Sequence, residues 1–252
     1  MKALITGASS GIGRDMARYL ASMGWDLILV ARREDRIKEL KKELNNVEVR
    51  CIVTDVGKKS DCYALYETVK DETIDMLINN AGFGLAGEFV KTDLDTELNM
   101  IDVNVTAVHI LTKLFLRDFV KRDSGIILNV ASSAGFMPGP LLSTYYATKN
   151  YVLRLTEAIY EELRQKGSHV HVSVLCPGPV NTEFNDVAKV KFAVDGISSE
   201  ECARIAIDGA MRGKLVIIPG LMMKVGLFFR RFAPEKLLLK LAYGFQKRKN
   251  ER

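Results

Sequence analysis

The chain reads as an α/β domain built on a doubly wound parallel sheet, and three observations carry that reading. Short apolar runs of strong β formers alternate with segments of helical period along most of the 252 residues, the pattern of β-α-β units covered by helices on both faces. Right-handed crossovers then favour a doubly wound topology. Between the first run and the first helical segment lies a glycine-rich turn, Thr6-Gly7-Ala8-Ser9-Ser10-Gly11-Ile12-Gly13.

Taken in order, the first strand is expected at 2–6, from Ala3-Leu4-Ile5. The first helix is expected at 13–23, where Met16, Tyr19, Leu20 and Met23 recur at helical spacing. A strand at 27–30 leads to a helix at 34–44, with Glu34 and Asp35 at its start. A strand at 47–53 and a helix at 58–70 follow, then a strand at 76–78 and a long helix at 94–120. The remaining pattern gives a strand at 126–130, a helix at 145–165, a strand at 170–175, a helix at 199–211 and a seventh strand at 215–218. No internal repeat, low-complexity segment or linker marks a second domain. Residues 1–220 are expected to form one domain, and residues 221–252 a basic helical extension of it.

Composition narrows the class. Hydrophobic residues make up 48% of the chain, as in a soluble globular protein, and no run is long and apolar enough to span a bilayer. The first strand begins at once, with no room for a signal peptide, so cytoplasmic residence is expected. Cys51, Cys62, Cys176 and Cys202 lack C-x-x-C spacing and read as reduced thiols. His169 and His171 would share a strand face, but with no third ligand nearby no metal site is expected. The net charge of +5 is uneven: from Lys214 onward there are ten Lys or Arg against Glu235 and Glu251, about +8, leaving about −3 for the body. No nucleic-acid partner is expected; the basic tail has partners of its own to account for.

The glycine turn is suited to phosphate. Gly7 can take the positive φ of a tight turn, Gly11 has no Cβ to hold a pyrophosphate off the backbone, and Gly13 lets helix and strand approach. Phosphates would then meet the free N–H groups of the helix N-terminus. Its spacing, G-x-x-x-G-x-G, together with Asn79-Asn80-Ala81-Gly82 and Tyr145-x-x-x-Lys149, resembles the short-chain dehydrogenase/reductase family over about residues 1–220. The resemblance implies a Rossmann-like, doubly wound, seven-stranded parallel sheet and hydride transfer between a nicotinamide dinucleotide and a carbonyl or alcohol.

Tyr145 and Lys149 lie one helical turn apart on one face. Reduction of a carbonyl leaves an alkoxide that must take a proton, and a phenol titrates near 10. An ammonium one turn away is expected to lower that value. Tyr146 cannot replace Tyr145, because Asn150 stands four residues after it. The family's catalytic serine lies thirteen positions before the tyrosine, at Ser132, with Ser133 as the neighbouring alternative; its hydroxyl would hold the substrate carbonyl. Asn104 matches the family's fourth catalytic member, holding a relay water, although a buried structural Asn would look the same in sequence. Cys176-Pro177-Gly178-Pro179-Val180-Asn181-Thr182 resembles the family's P-G-x-V-x-T, which holds the nicotinamide end.

For NAD, an acid is expected at the end of the second strand, on the ribose 2′-OH. Here Ala31 stands in that place and Arg32 and Arg33 follow, so NADP(H) is favoured over NAD(H). Arg14 could assist, or the two arginines could merely balance Glu34 and Asp35. Asp55 matches the family's adenine-contacting acid. The expected cofactor-binding set is Gly7, Ser9, Ser10, Gly11, Ile12, Gly13, Arg32, Arg33, Asp55, Val56, Asn80, Ala81, Gly82, Tyr145, Lys149, Pro177, Gly178, Val180 and Thr182.

Substrate contacts are expected from Phe83, Leu85, Phe136, Met137, Leu141, Leu142, Phe184 and Phe192, with residues 183–197 as a lid. In the tail, residues 221–232 are strongly apolar, and Pro234 opens a helix. There Lys236, Lys240, Tyr243 and Lys247 share one face, opposite Leu237, Leu238, Leu241 and Phe245. That helix could pack with a solvated basic face, roof the substrate pocket, lie in a subunit interface or rest on an anionic membrane. Family habit suggests a homodimer or homotetramer through the two long helices. The whole reads as an NADPH-dependent, reversible reductase of an apolar or acyl-type ketone or aldehyde; the alternative is a dinucleotide-sensing protein without turnover.

Overall fold

The computed structural model describes residues 1–184, 196–230 and 232–250. The strands are β1 (Lys2–Thr6), β2 (Asp26–Ala31), β3 (Val49–Val53), β4 (Met76–Asn79), β5 (Ile126–Val130), β6 (His171–Leu175), β7 (Val180–Asn181), β8 (Ile197–Ser198) and β9 (Val216–Ile217). Seven of them form one sheet in the order β3-β2-β1-β4-β5-β6-β9, while β7 and β8 pair separately. Every pairing in the main sheet is parallel. The order reverses between β1 and β4, and a crevice opens at such a switch point beyond the carboxyl ends of the strands.

Strand alternation divides the core. Ala3, Ile5, Leu27, Leu29, Met76 and Ile78 pack on one face, with α1 (Gly11–Ser22), α2 (Glu34–Glu43) and, further on, Ser199–Met211. Leu4, Ile28, Val30 and Leu77 turn to the other face, against α3 (Lys59–Val69) and the helices between Leu94 and Gln165. A run of apolar residues without polar alternation is therefore what the central strands require.

The single helix expected over 94–120 is instead two, α4 (Leu94–Ile101) and α5 (Ala107–Lys121), joined by a wide π turn at Asp102–Thr106. Its closing amide, on Ala107, bonds back to the Asp102 carbonyl, five residues away. Such turns cluster at functional sites, and Asn104 lies at the middle of this one. α6 (Ser143–Gln165) starts two residues ahead of Tyr145, and α7 (Ser199–Met211) falls where its period placed it. The tail folds as α8 (Leu221–Arg230) and α9 (Glu235–Asn250).

A buried polar thread ties the middle of the sheet to its helices. Asn79 faces Asn129 in register across β4 and β5. Asn79 Nδ2 donates to Asn129 Oδ1 at 2.9 Å and to Thr112 Oγ1 at 3.0 Å; Asn129 Nδ2 donates to Thr156 Oγ1 at 3.0 Å. One strand pair is thus bonded to α5 and α6.

Candidate active site

The site begins at the end of β1. Thr6 Oγ1 accepts from the backbone amides of Asn80 at 3.0 Å and Ala81 at 3.1 Å, and Asn80 Nδ2 donates to the carbonyls of Thr6 and Gly7. The segment after β4 therefore clamps the glycine turn. Gly7 has φ 67° and Gly11 φ 52°, where a side chain is strained. A Cβ at Gly13 would lie close to Asn80 Nδ2 and 2.6 Å from the Gly7 carbonyl oxygen. The expected helix–strand approach is thus, more specifically, room for the Asn80 clamp.

A cavity of about 670 Å³ opens at the switch point, within the roughly 300–1,000 Å³ that ligand sites occupy. It is lined by every residue of the expected cofactor set except Gly13, and by Ser132, Ser133 and Tyr145. The fit of a dinucleotide can be tested on the cradle itself. Side chains at positions 7 and 11 would fill it, since a Cβ on Gly7 would lie 2.8 Å from Ala81 Cα and one on Gly11 3.2 Å from the Thr182 side chain. Ser10, which precedes α1, makes no side-chain cap, so its hydroxyl leaves the opening amides of that helix to an anion. The residues fit the group.

Ser132 and Ser133 follow β5. Ser132 Oγ accepts from the Ala134 amide at 3.2 Å and donates to the Pro177 carbonyl at 3.5 Å. Ser133 meets the same carbonyl with its backbone amide at 2.8 Å. Of the two serines it is Ser132 whose side chain lies near enough to the Tyr145 phenol to favour its ionised form. Burial nonetheless drives the Tyr145 phenol well above its ordinary value, with Ser132 opposing it. The expectation that Lys149 lowers it is not met. The Lys149 ammonium donates to the Val130 carbonyl at 2.9 Å and stands 5.9 Å from the Tyr145 ring centroid, so desolvation wins. Burial also pushes Lys149 itself down to about 8.

Asn104 is fully buried and does not line the cavity. Its Nδ2 donates to the Phe83 carbonyl at 2.9 Å and to Thr148 Oγ1 at 3.1 Å, and its Oδ1 accepts from the Phe83 amide at 3.1 Å. A Cβ on Gly82 would lie 2.9 Å from Asn104 Oδ1 and 3.2 Å from Lys149 Nζ. Asn104 thus stands just behind the lysine and fixes the chain beside it.

The arginines divide. Arg33 donates from Nη2 to Ser9 Oγ at 2.9 Å and to Ser10 Oγ at 2.7 Å, laying its guanidinium on the glycine turn, and pairs with Glu183 at 3.4 Å. Arg32 is exposed, 3.9 Å from the Asp55 carboxylate. Neither pairs with Glu34, whose partner is Lys38. Arg14 faces Asp15 at 3.6 Å and is not part of the cavity wall.

At the substrate end Phe83, Met137, Leu142 and Phe184 reach the cavity, whereas Leu85, Phe136 and Leu141 do not. Phe136 packs into the core instead. Phe192 and residues 185–195 of the expected lid lie outside the described residues. The sequence reading missed Tyr146, Met223, Leu227, Ala242 and Gln246, all of which line the cavity. The signal was available in part: Ala242 and Gln246 are one turn apart, and Gln246 stands among Leu, Phe and Lys as a lone neutral polar side chain. A Cβ on Gly178 would lie close to Met223 Cε, so the tail sits directly on the loop that follows β6.

A switch-point cavity with a glycine turn at one end and a Ser–Tyr pair beside a lysine at the other defines a nicotinamide-type oxidoreductase acting on CH–OH or keto groups. The chain belongs to the short-chain dehydrogenase family, whose model, described as "short chain dehydrogenase", matches residues 1–191. It is 34% identical over 213 residues to a very-long-chain 3-oxoacyl-CoA reductase from Rattus norvegicus, covering 81% of this chain and 67% of that one. Among solved structures, a short-chain dehydrogenase from Sphingobium yanoikuyae in complex with NADPH superposes with a TM-score of 0.82 at 34% identity, covering 87% of this chain and 88% of that one. A short-chain dehydrogenase/reductase from Burkholderia phymatum in complex with NAD gives 0.83 at 25% identity, covering 91% and 92%.

Proposed function

We propose that the chain is a cytoplasmic NADPH-dependent reductase of an apolar or acyl-type ketone or aldehyde, running in reverse as an alcohol dehydrogenase. The observation that carries the reading is the meeting of Ser132, Tyr145 and Lys149 at an apolar end of a cavity whose other end carries Arg32 and Arg33. When bound, the reduced nicotinamide supplies the hydride. Ser132 receives the substrate carbonyl oxygen and donates to it as charge develops. Tyr145 holds its proton until the oxygen becomes basic and then delivers it; a phenol raised by burial is in the protonated state that this needs. Lys149 adds positive potential beneath the tyrosine. Asn104, with both amide hydrogens bonded to protein, holds Phe83 and Thr148 in place, and through them the wall beside Lys149.

The two arginines support NADPH: one guanidinium on the Ser9–Ser10 turn and a second at the end of β2 offer charge-assisted bonds to a 2′-phosphate. Phe83, Met137, Leu142, Phe184, Met223 and Leu227 favour an apolar carbonyl compound, a reading to which the very-long-chain acyl substrate in the name of the rat relative lends weight. All four cysteines are free thiols, which suits a reducing compartment. Leu94, Leu98, Ile101 and Tyr151 leave apolar surface on α4 and α6, which fits a homodimer or homotetramer through these helices.

The test is NADPH oxidation by the purified chain across a panel of short and long ketones and aldehydes. Turnover is expected with the long members, and Tyr145→Phe should slow it about 10²–10⁴-fold while NADPH affinity is kept. NADPH binding without turnover of any carbonyl would replace this reading by a dinucleotide sensor. Tighter binding of NADH would overturn the cofactor choice.

A further inference from the structure

The two tail helices have two apolar sides. Met223 and Leu227 of α8 and Ala242 and Gln246 of α9 face the cavity. The other side of α8 carries Leu221, Met222, Val225, Phe228 and Phe229, at the spacing of one helix face, and Phe232 follows just past its end. These are exposed: Met222 81%, Phe228 54%, Phe229 64% and Phe232 71%. The phenylalanines stack edge-on with one another, Phe228 with Phe229 at 5.6 Å and with Phe232 at 5.7 Å between centroids. Leu237 and Leu241 on α9 add to the apolar surface. A contiguous surface of this kind marks an interaction site.

Charge says which partner it fits. Between Gly209 and Asn250 the sequence holds one acid, Glu235, and ten Lys or Arg. Lys224, Lys236 and Lys240 are exposed beside the apolar residues. Aromatic and aliphatic residues on one face, rimmed by cations and almost without acids, are what a helix needs to lie in the interface of an anionic bilayer. Two copies joined through this face would bring two such cationic tails together, which like-charge repulsion opposes. Among the described residues no helix is long and apolar enough to cross a membrane, so contact would be superficial.

We propose that α8 and α9 dock the protein on anionic lipid surfaces, with Phe228, Phe229 and Phe232 entering the headgroup boundary and Lys224, Lys236 and Lys240 meeting the lipid charge. The roof of the cavity is then the membrane-bound element. If the cavity reduces an apolar carbonyl compound, the substrate class that gains is one that partitions into the bilayer, and this clause alone rests on the proposed reduction.

Flotation of the full chain with phosphatidylcholine vesicles, with and without phosphatidylglycerol, tests the docking without reference to turnover. Binding is expected only with phosphatidylglycerol and should fall as salt is raised. The triple variant Phe228→Ser/Phe229→Ser/Phe232→Ser should bind about tenfold or more weakly while NADPH affinity is unchanged, which shows the cavity intact. Lys236→Glu/Lys240→Glu, whose fold depends on neither side chain, should lose the phosphatidylglycerol preference. Failure to float with either vesicle would overturn the proposal. So would a wild-type dimer that the triple variant dissociates, because a second copy would then be the occupant.

Discussion

Gln246 donates from Nε2 to the hydroxyl of Tyr146 at 2.6 Å, so the last helix is bonded to the residue next to Tyr145. Both side chains line the cavity, and the Gln246 carbonyl oxygen is buried without a protein partner among the described residues. The pair is a latch on the roof and a polar point in an otherwise apolar end. Gln246→Leu should leave the KM of a purely aliphatic ketone within about twofold. A ketone bearing a distal hydroxyl or amide N–H should lose more, about two- to tenfold, the worth of one neutral hydrogen bond. Equal losses for both substrates would reduce Gln246 to a structural latch.

Lys149 sets a pH dependence of stability. Its folded value is depressed to about 8 from 10.5 by burial. Below pH 8 it is charged in both states, and the buried ammonium destabilises the cofactor-free fold. Between about pH 8 and 10.5 the unfolded chain binds the proton that the folded one has lost, so this group's contribution to stability improves as pH rises through that window. Lys149→Met should therefore make the cofactor-free protein more stable at pH 7, by about 1–3 kcal/mol once the lost bond to Val130 is allowed for. The gap should close by about pH 10. Urea unfolding of both proteins at the two pH values measures it; a variant less stable at pH 7 would contradict the desolvation account.

Cofactor choice should follow Arg33 at least as much as Arg32, because Arg33 is the one laid on the Ser9 and Ser10 hydroxyls. Replacing Arg33 by Ala should weaken NADPH about ten- to a hundredfold, the worth of a charge-assisted bond, and NADH by much less. Fluorescence titration with both cofactors decides it. Equal loss for the two would show that Arg33 serves the turn and Glu183 rather than a phosphate.

Asn129→Leu should cost about 2–4 kcal/mol of unfolding free energy, since it leaves buried polar groups of Asn79, Thr112 and Thr156 without their partner. Chemical denaturation with an unchanged slope would report it. A loss under about 1 kcal/mol would mean that water or rearrangement replaces the bonds.

The central strands were legible because they are buried on both faces and so nearly all apolar, and the ends of the seven strands of the main sheet were found to within a residue or two; the edge strand β3, with Arg50 and Val53 exposed, was read from its β formers alone, and the two-residue β7 and β8 were not read. The glycine turn, the Asn79-Asn80 segment and Tyr145-x-x-x-Lys149 were legible because each needs a residue type at a fixed spacing. The π turn was not: Asp102 to Thr106 are weak helix formers, but low propensity alone gives no periodic sign of a widened hydrogen bond. The division of labour between Arg32 and Arg33 was hidden for a related reason, since adjacent residues leave a strand end in opposite directions and only the fold says which meets the turn. The roof was half visible. Its amphipathic character could be read, but Met223 and Gln246 reach the cavity only because the chain folds back over residues some fifty to a hundred positions earlier.

The π turn at Asp102–Thr106 amounts to one surplus residue spliced into a helix. Each residue of an α-helix advances the face by about 100°, so the splice lets α4 and α5 present faces that an uninterrupted helix could not present together. A single-residue deletion at Val105 would return the segment to ordinary pitch. Everything upstream, Asn104 included, would then swing by about that angle relative to α5, and Phe83 and Thr148 would lose the side chain that holds them. The shape of this wall is therefore kept by a count, and a length change of one residue here should do more harm than most changes of residue type.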